Sequence, residues 1–209
     1  MQYEAYQAEI KTDMQEDSLA GFLLFMNKRL GKLGDNGLDF GRSSWSNFNR
    51  QTLIEIAGAY VGMMGRYIDH YAKKSMPKTP ITSLEEFTYL IVLLQEKSMT
   101  KTELIHRNAH QITTGTEIIK RLFTKGYVDQ EQDPNDKRSI RVSLTDAGKG
   151  ALYASSEMTK SLSTLATGIL SDDELLFLVS TLRKLDDFHK KIFQESRQLD
   201  TQELVAKYL

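Results

Sequence analysis

A mainly α-helical fold carrying one β-hairpin is predicted for this chain of 209 residues by three observations. Apolar residues recur at three- and four-residue spacing over most of its length, the period that lines them along one face of a helix. Four segments of the form Ser/Thr/Asp-x-x-Glu mark helix starts, because the first side chain accepts from the amide three residues on while the Glu reaches back. These are Ser83-Leu-Glu-Glu86, Thr100-Lys-Thr-Glu103, Ser171-Asp-Asp-Glu174 and Asp200-Thr-Gln-Glu203. Alternation of apolar and polar residues, the strand period, is confined to about Gly126 to Leu144.

Taken in order, Leu19, Phe22, Leu23, Met26 and Leu30 form a first apolar stripe that stops in the glycine-rich stretch Gly31 to Gly37. A long helix is predicted from about Ser44 to Lys74, with Phe48, Leu53, Ile56, Tyr60, Met63, Met64, Tyr67, Ile68 and Tyr71 on its apolar side. Pro77 and Pro80 end it, since proline lacks the amide and restricts the residue before it. A helix over 83–96, a short one over 101–107, a turn and a helix over about 112–124 follow. Then Tyr127 to Gln132 and Ser139 to Leu144 flank Asp133-Pro-Asn-Asp136, whose Asp, Pro and Asn favour a bend. Tyr127 or Val128 with Ile140, Val142 and Leu144 would face inward, leaving Lys137, Arg138 and Arg141 at the tip or outer face. Asp146 to Ile169 and Asp172 to about Ser196 read as two further long helices.

Composition excludes several classes. The 23.9 kDa chain is 40% hydrophobic and 26% charged, the mixture of an ordinary globular protein with room for a substantial core. No apolar run approaches the roughly 18 to 20 residues of a membrane span. The first 20 residues hold five acids against one lysine, where a secretory signal carries positive charge, so a cytoplasmic location is expected. Zero cysteines removes thiolate chemistry and Cys-ligated zinc. Net charge is only −1, but residues 21–80 carry nine bases against four acids and residues 100–145 eight against six. A basic face toward DNA and charges scattered over solvated helices both fit those counts.

The middle third reads helix, short helix, turn, helix, hairpin, which is the order of a winged helix-turn-helix. That arrangement lays its second short-turn helix in a major groove and sets a basic hairpin beside it, so double-stranded DNA is the natural ligand. The run Asp136-Lys-Arg138-Ser-Ile-Arg-Val142-Ser-Leu144-Thr145-Asp-Ala-Gly148 resembles the wing signature of the MarR family of bacterial transcriptional regulators, D-x-R-x-x-x-V-x-L-T-x-x-G, at every motif position. Leu104, Arg121-Leu122 and Lys125-Gly126-Tyr127-Val128 also fall where that family places them, so the resemblance covers roughly residues 50 to 195.

The resemblance implies a homodimer held by its first and last long helices, with two winged-helix lobes on successive major grooves of a pseudo-palindromic site. It divides the chain into an N-terminal helical extension (1–43), dimerisation helices (44–80 and 146–209) and a DNA-binding lobe (81–145). Arg138 would sit at the wing tip and enter the minor groove, with Asp136 orienting it and Lys137 and Arg141 alongside. On the recognition helix Thr113, Thr114, Glu117 and Lys120 would face DNA, with Thr116 and Arg121 near phosphates. Glu117 departs from the basic residue many members carry, and suits cytosine N4 or a pair with Lys120 or Arg121. Gly115 within the helix is unexpected, since it costs roughly 1 kcal/mol relative to Ala. The segment Asp129-Gln-Glu-Gln132 replaces one that is often arginine-bearing.

The resemblance implies a repressor whose small-molecule effector shifts the separation of the two recognition helices and so lowers its affinity for DNA. A pocket between the long helix and the lobe would use the hydroxyls of Tyr67 and Tyr71 to orient a small aromatic or phenolic ligand. The stripe around Tyr60, Met63 and Met64 is expected in core or dimer packing. His106 and His110, four residues apart, span a helix end with no Glu after His106, so no metal site, and with it no cofactor, is expected. No nucleophile elbow, phosphate loop or dinucleotide fingerprint occurs, which argues against an enzyme. The rival reading is a winged-helix dimer that binds proteins instead of DNA, favoured by Glu117, the acidic wing strand and the near-zero net charge.

Overall fold

The computed structural model describes residues 49–209. The stripe from Leu19 to Leu30, the glycine-rich break, the extension 1–43 and the helix start near Ser44 lie outside the described residues. By internal contacts the chain divides into two compact units, Met1–Tyr60 and Val61–Leu209. Helix α1 spans Arg50–Ser75, and its first turn is capped by Asn49, whose Oδ1 accepts from the Thr52 amide at 2.9 Å. A short 3-10 turn, Met76–Lys78, carries Pro77 at its start and closes the helix as the prolines predict.

The lobe follows as α2 (Leu84–Glu96), β1 (Ser98–Thr100), α3 (Lys101–Arg107), α4 (Ile112–Thr124), β2 (Val128–Gln132) and β3 (Ile140–Leu144). Three long or short helices close the chain: α5 (Asp146–Thr167), α6 (Asp172–Ser196) and α7 (Thr201–Tyr208). Capping boxes are complete at Thr100, Ser171 and Asp200. At Ser83 only half forms: Ser83 accepts from the Glu86 amide, but the Glu86 carboxylate turns to Thr82 instead. The threonine of the wing run, Thr145, caps α5 by accepting from the Gly148 amide and donates its hydroxyl to the Gly126 carbonyl at 2.7 Å.

The hairpin is not alone. β1 pairs antiparallel with β3, giving the strand order β1-β3-β2, with Met99 opposite Val142 and Thr100 opposite Arg141. Three residues are too few to display a period of two, which is why the alternation pointed only to β2 and β3. Val128 and Val142 are buried on the inward side as expected, whereas Ile140 and Leu144 are half-buried.

The core lies where α2, α3 and α4 meet this sheet: Tyr89, Leu90, Leu93, Leu104, Ile105, Ile118, Ile119 and Leu122 are essentially inaccessible. Each such aliphatic side chain contributes about 1.5 to 3 kcal/mol of transfer free energy. Gly115 has its explanation here. A Cβ at that position would collide with Ile105 and stand 2.7 Å from the Tyr89 hydroxyl, so glycine lets α4 approach α2 and α3 closely. The packing gained offsets the helical penalty.

The long helices differ. Val61, Tyr67, Leu176, Phe177, Val179 and Leu182 are all exposed in the single chain, although their spacing is that of an amphipathic face. Among the described residues, no helix is long and apolar enough to cross a membrane.

Candidate nucleic-acid interface

Helix α4 is sharply two-sided. Gly115, Ile118, Ile119 and Leu122 are buried against the lobe, which leaves Thr113, Thr114, Thr116, Glu117, Lys120 and Arg121 together on the exposed side. Thr116 donates its hydroxyl to the Ile112 carbonyl at 2.7 Å, the back-bonding available to a hydroxyl within a helix. No salt bridge joins Glu117 to Lys120 or Arg121 among the described residues, so its carboxylate and the Lys120 ammonium both face outward. Arg121 is engaged from the other side: its Nε lies 3.4 Å from Glu86 Oε1.

Both ends of α4 are fixed by buried polar groups. At the C-terminal end Glu86, 1% exposed, accepts from the Thr82 amide and hydroxyl at 3.1 Å each and from Lys125 Nζ at 2.7 Å. Burial alone would push this carboxyl up. The Lys125 and Thr82 hydrogen bonds and the Lys125 charge together outweigh that, and hold it below the ordinary glutamate value. Before the N-terminal end, Tyr89 on α2 meets His110 Nδ1 at 3.1 Å with their rings stacked. Burial pushes the Tyr89 phenol up to about 12. The α3–α4 turn passes through Ala109 at φ 53, a left-handed conformation uncommon outside glycine.

In the wing the cations separate. Arg138 and Lys137 are exposed at the tip, and the Lys137 carbonyl accepts from Gln132 at 2.6 Å. Asp136 does not grip the Arg138 guanidinium; it accepts from the Arg138 backbone amide at 3.0 Å and from the Ser139 hydroxyl at 2.7 Å, which shapes the turn. The Ser139 bond and then the Arg138 amide hold the Asp136 carboxyl low. Arg141 is half-buried at the wing base. It donates to Asp133 at 2.8 Å, to the Ser98 carbonyl at 2.8 Å and to the Ser98 hydroxyl at 3.0 Å, tying β3 to β1. Asp133, itself buried, also accepts from the Asn135 and Asp136 amides.

The remaining expected site residues lie apart. Tyr67 is exposed on α1, and Tyr71 is half-buried against the core with its ring edge toward His70. A cavity of about 570 Å³ lies elsewhere, between α3 and β1 on one side and α6 and α7 on the other. His106 and His110 diverge: the first meets Phe193 and Arg197, the second Tyr89, and no cluster of metal-binding side chains occurs among the described residues. Sequence reasoning did not single out Glu86, Lys125, Ser98 and Tyr89 as groups that position the interface. Glu86 was visible only as a capping residue, and nothing local pairs Ser98 with Arg141.

Comparison with known proteins agrees with this geometry. Residues 90–148 match the winged helix DNA-binding domain family. The chain is 31% identical over 107 residues to the HTH-type transcriptional repressor NicR of Pseudomonas putida, an alignment covering 51% of this chain and 67% of that one. Among solved structures, a MarR transcriptional regulator from Methanosarcina mazei superposes with TM-score 0.60 at 22% identity over 66% of this chain and 99% of its own. A mutant MarR from E. coli in complex with operator DNA gives TM-score 0.56 at 23% identity over 66% and 99%. Bordetella bronchiseptica BpsR, whose DNA binding is regulated by 6-hydroxynicotinic acid, gives 0.57 at 20% over 62% and 92%. The wing run, the two-sided α4 beneath it and these matches converge: the chain belongs to the MarR family of winged-helix DNA-binding transcriptional regulators, which are not enzymes.

Proposed function

We propose that the protein is a homodimeric repressor that binds a pseudo-palindromic operator and is released by a small-molecule effector. The observation that carries this reading is the shared exposure of the α4 face and the Arg138 tip, with both ends of α4 anchored from behind. Thr113, Thr114, Glu117 and Lys120 read or skirt base edges in the major groove, Thr116 and Arg121 approach phosphates, and Arg138 with Lys137 enters the minor groove. Asp136 and Arg141 act by holding the wing in shape. Exposed apolar faces on α1 and α6 supply the dimer contact, in line with the division into dimerisation helices (44–80, 146–209) and lobe (81–145).

The test is a selection of bound genomic fragments at two salt concentrations, wild type against Arg138→Ala. A palindromic site enriched by wild type, weakened on raising salt and by roughly 1 to 3 kcal/mol in the variant, is the expected result. Binding indifferent to Arg138 overturns the assignment of the tip. For the effector, 6-hydroxynicotinic acid is the first probe, because BpsR responds to it; Tyr67→Phe and Tyr71→Phe should blunt its effect on DNA affinity if those hydroxyls orient the ligand. The exposed acids Glu117, Asp129 and Glu131 favour a second reading, a protein-interaction module, which absence of any enriched site would support.

A further inference from the structure

We infer that Ile112, the first residue of α4, reads a thymine methyl group in each half of the operator, which makes it a residue that sets base preference. The inference deepens the DNA-binding reading above and rests on it. Helix α4 buries its other aliphatic side chains: Ile118, Ile119 and Leu122 are at most 2% exposed. Ile112 is 49% exposed.

Helical spacing shows what stands beside it. With about 3.6 residues per turn, Thr113, Glu117, Lys120 and Thr124 fall on one stripe, opposite the buried Gly115, Ile118, Ile119 and Leu122. Ile112 and Thr116 fall on a second stripe, between the polar one and the buried side. Thr116 donates its hydroxyl to the Ile112 carbonyl at 2.7 Å. Its proton is therefore committed even where a phosphate lies near, and what it adds to this stripe is its methyl. The exposed side of the first turns is thus polar along Thr113 and Glu117 and apolar along Ile112 and Thr116.

Base chemistry selects the partner of the apolar stripe. In the major groove a side chain without donor or acceptor can tell bases apart only through the C5 methyl of thymine, the one apolar group displayed there. Recognition helices present their N-terminal residues to base edges, and Ile112 opens α4. Its backbone is held from behind: the Gly115 amide donates to the Gln111 carbonyl at 2.9 Å, and Gly115 sits so close to Ile105 and Tyr89 that a Cβ would not fit. Phe123, 50% exposed on the same flank, lies about 16 Å further along the helix and meets a different part of the groove.

The operator recovered by the fragment selection is remade with deoxyuridine in place of one thymine at a time, which removes only the methyl, and titrated with the full chain by fluorescence anisotropy. One thymine in each half-site should lose about fourfold in affinity, the weight of one buried methyl. Ile112→Ala should bind the thymine and uracil versions of that site equally. Ile112→Val should restore most of the discrimination, and Phe123→Ala should leave it as in wild type. Because Ile112 carries no charge, wild type and Ile112→Ala should weaken in parallel as salt rises. Uracil tolerated at every thymine, or a thymine preference that survives Ile112→Ala, overturns the inference while the DNA-binding reading stands. A changed salt dependence in Ile112→Ala also overturns it, since that traces the loss to displaced phosphate contacts. Recovery of no operator overturns the DNA-binding reading, and the inference falls with it.

Discussion

The winged-helix lobe and the long helices around it solve the same problem in opposite ways. Helices α2, α3 and α4 turn Tyr89, Leu90, Leu93, Leu104, Ile105, Ile118 and Leu122 into one another and onto the sheet, so the lobe completes its own core. Helix α1, 26 residues long, buries only Ala72, and α6, 25 residues long, buries only Ser196. Both long helices nevertheless repeat apolar residues with helical spacing. A helix draws most of its stability from burying such a face, so the lobe has a core of its own, while the long helices keep the apolar faces to which the proposed function gives the dimer contact.

The contrast can be broken most severely from inside the lobe. Leu122→Ala, at a fully buried position, should cost about 2 to 5 kcal/mol in chemical denaturation, and a loss within the noise would mean that the lobe core is not what holds the domain. Gly115→Val should cost about 1 to 3 kcal/mol by forcing Ile105 and Tyr89 apart, and should weaken DNA binding further because α4 is displaced. A tolerated valine would show that α4 does not depend on that close approach.

Glu86→Gln sharpens the comparison more gently. It retains the shape and removes the charge facing Lys125 and Arg121, for an expected loss of about 1 to 2 kcal/mol at neutral pH. The folded-state carboxyl is held low, so its contribution is fully present above the unfolded value near about 4.3 and is lost as pH falls through the lower folded value. Urea midpoints of wild type and Glu86→Gln should converge with acidification through that window; a constant gap would assign the loss to packing. Smallest in its effect on the lobe is Phe177→Glu, on the exposed face of α6. Lobe stability should stay within about 0.5 kcal/mol while sedimentation shows the dimer dissociating. A dimer that survives would move the contact elsewhere.

Much of this architecture was determined by sequence alone, because its signals are local. Helix starts depend on residues three apart, strands on a period of two, and the wing run from Asp136 to Gly148 on a contiguous stretch. Predicted bounds for α3 and α4 coincide with the observed helices for that reason. What tertiary structure decided are pairings between residues remote in the chain. Ser98 and Arg141, 43 residues apart, meet only after β1 joins β3, and that contact turns one of three wing cations into a brace while Arg138 stays outside. Gly115 looked like a helix fault until Ile105 and Tyr89 were seen against it. Glu86 looked like a cap until Lys125, 39 residues on, reached its carboxylate. Periodicity records which face of an element is apolar, but the free energy of a contact depends on what folding brings opposite that face, and no local pattern contains that distance.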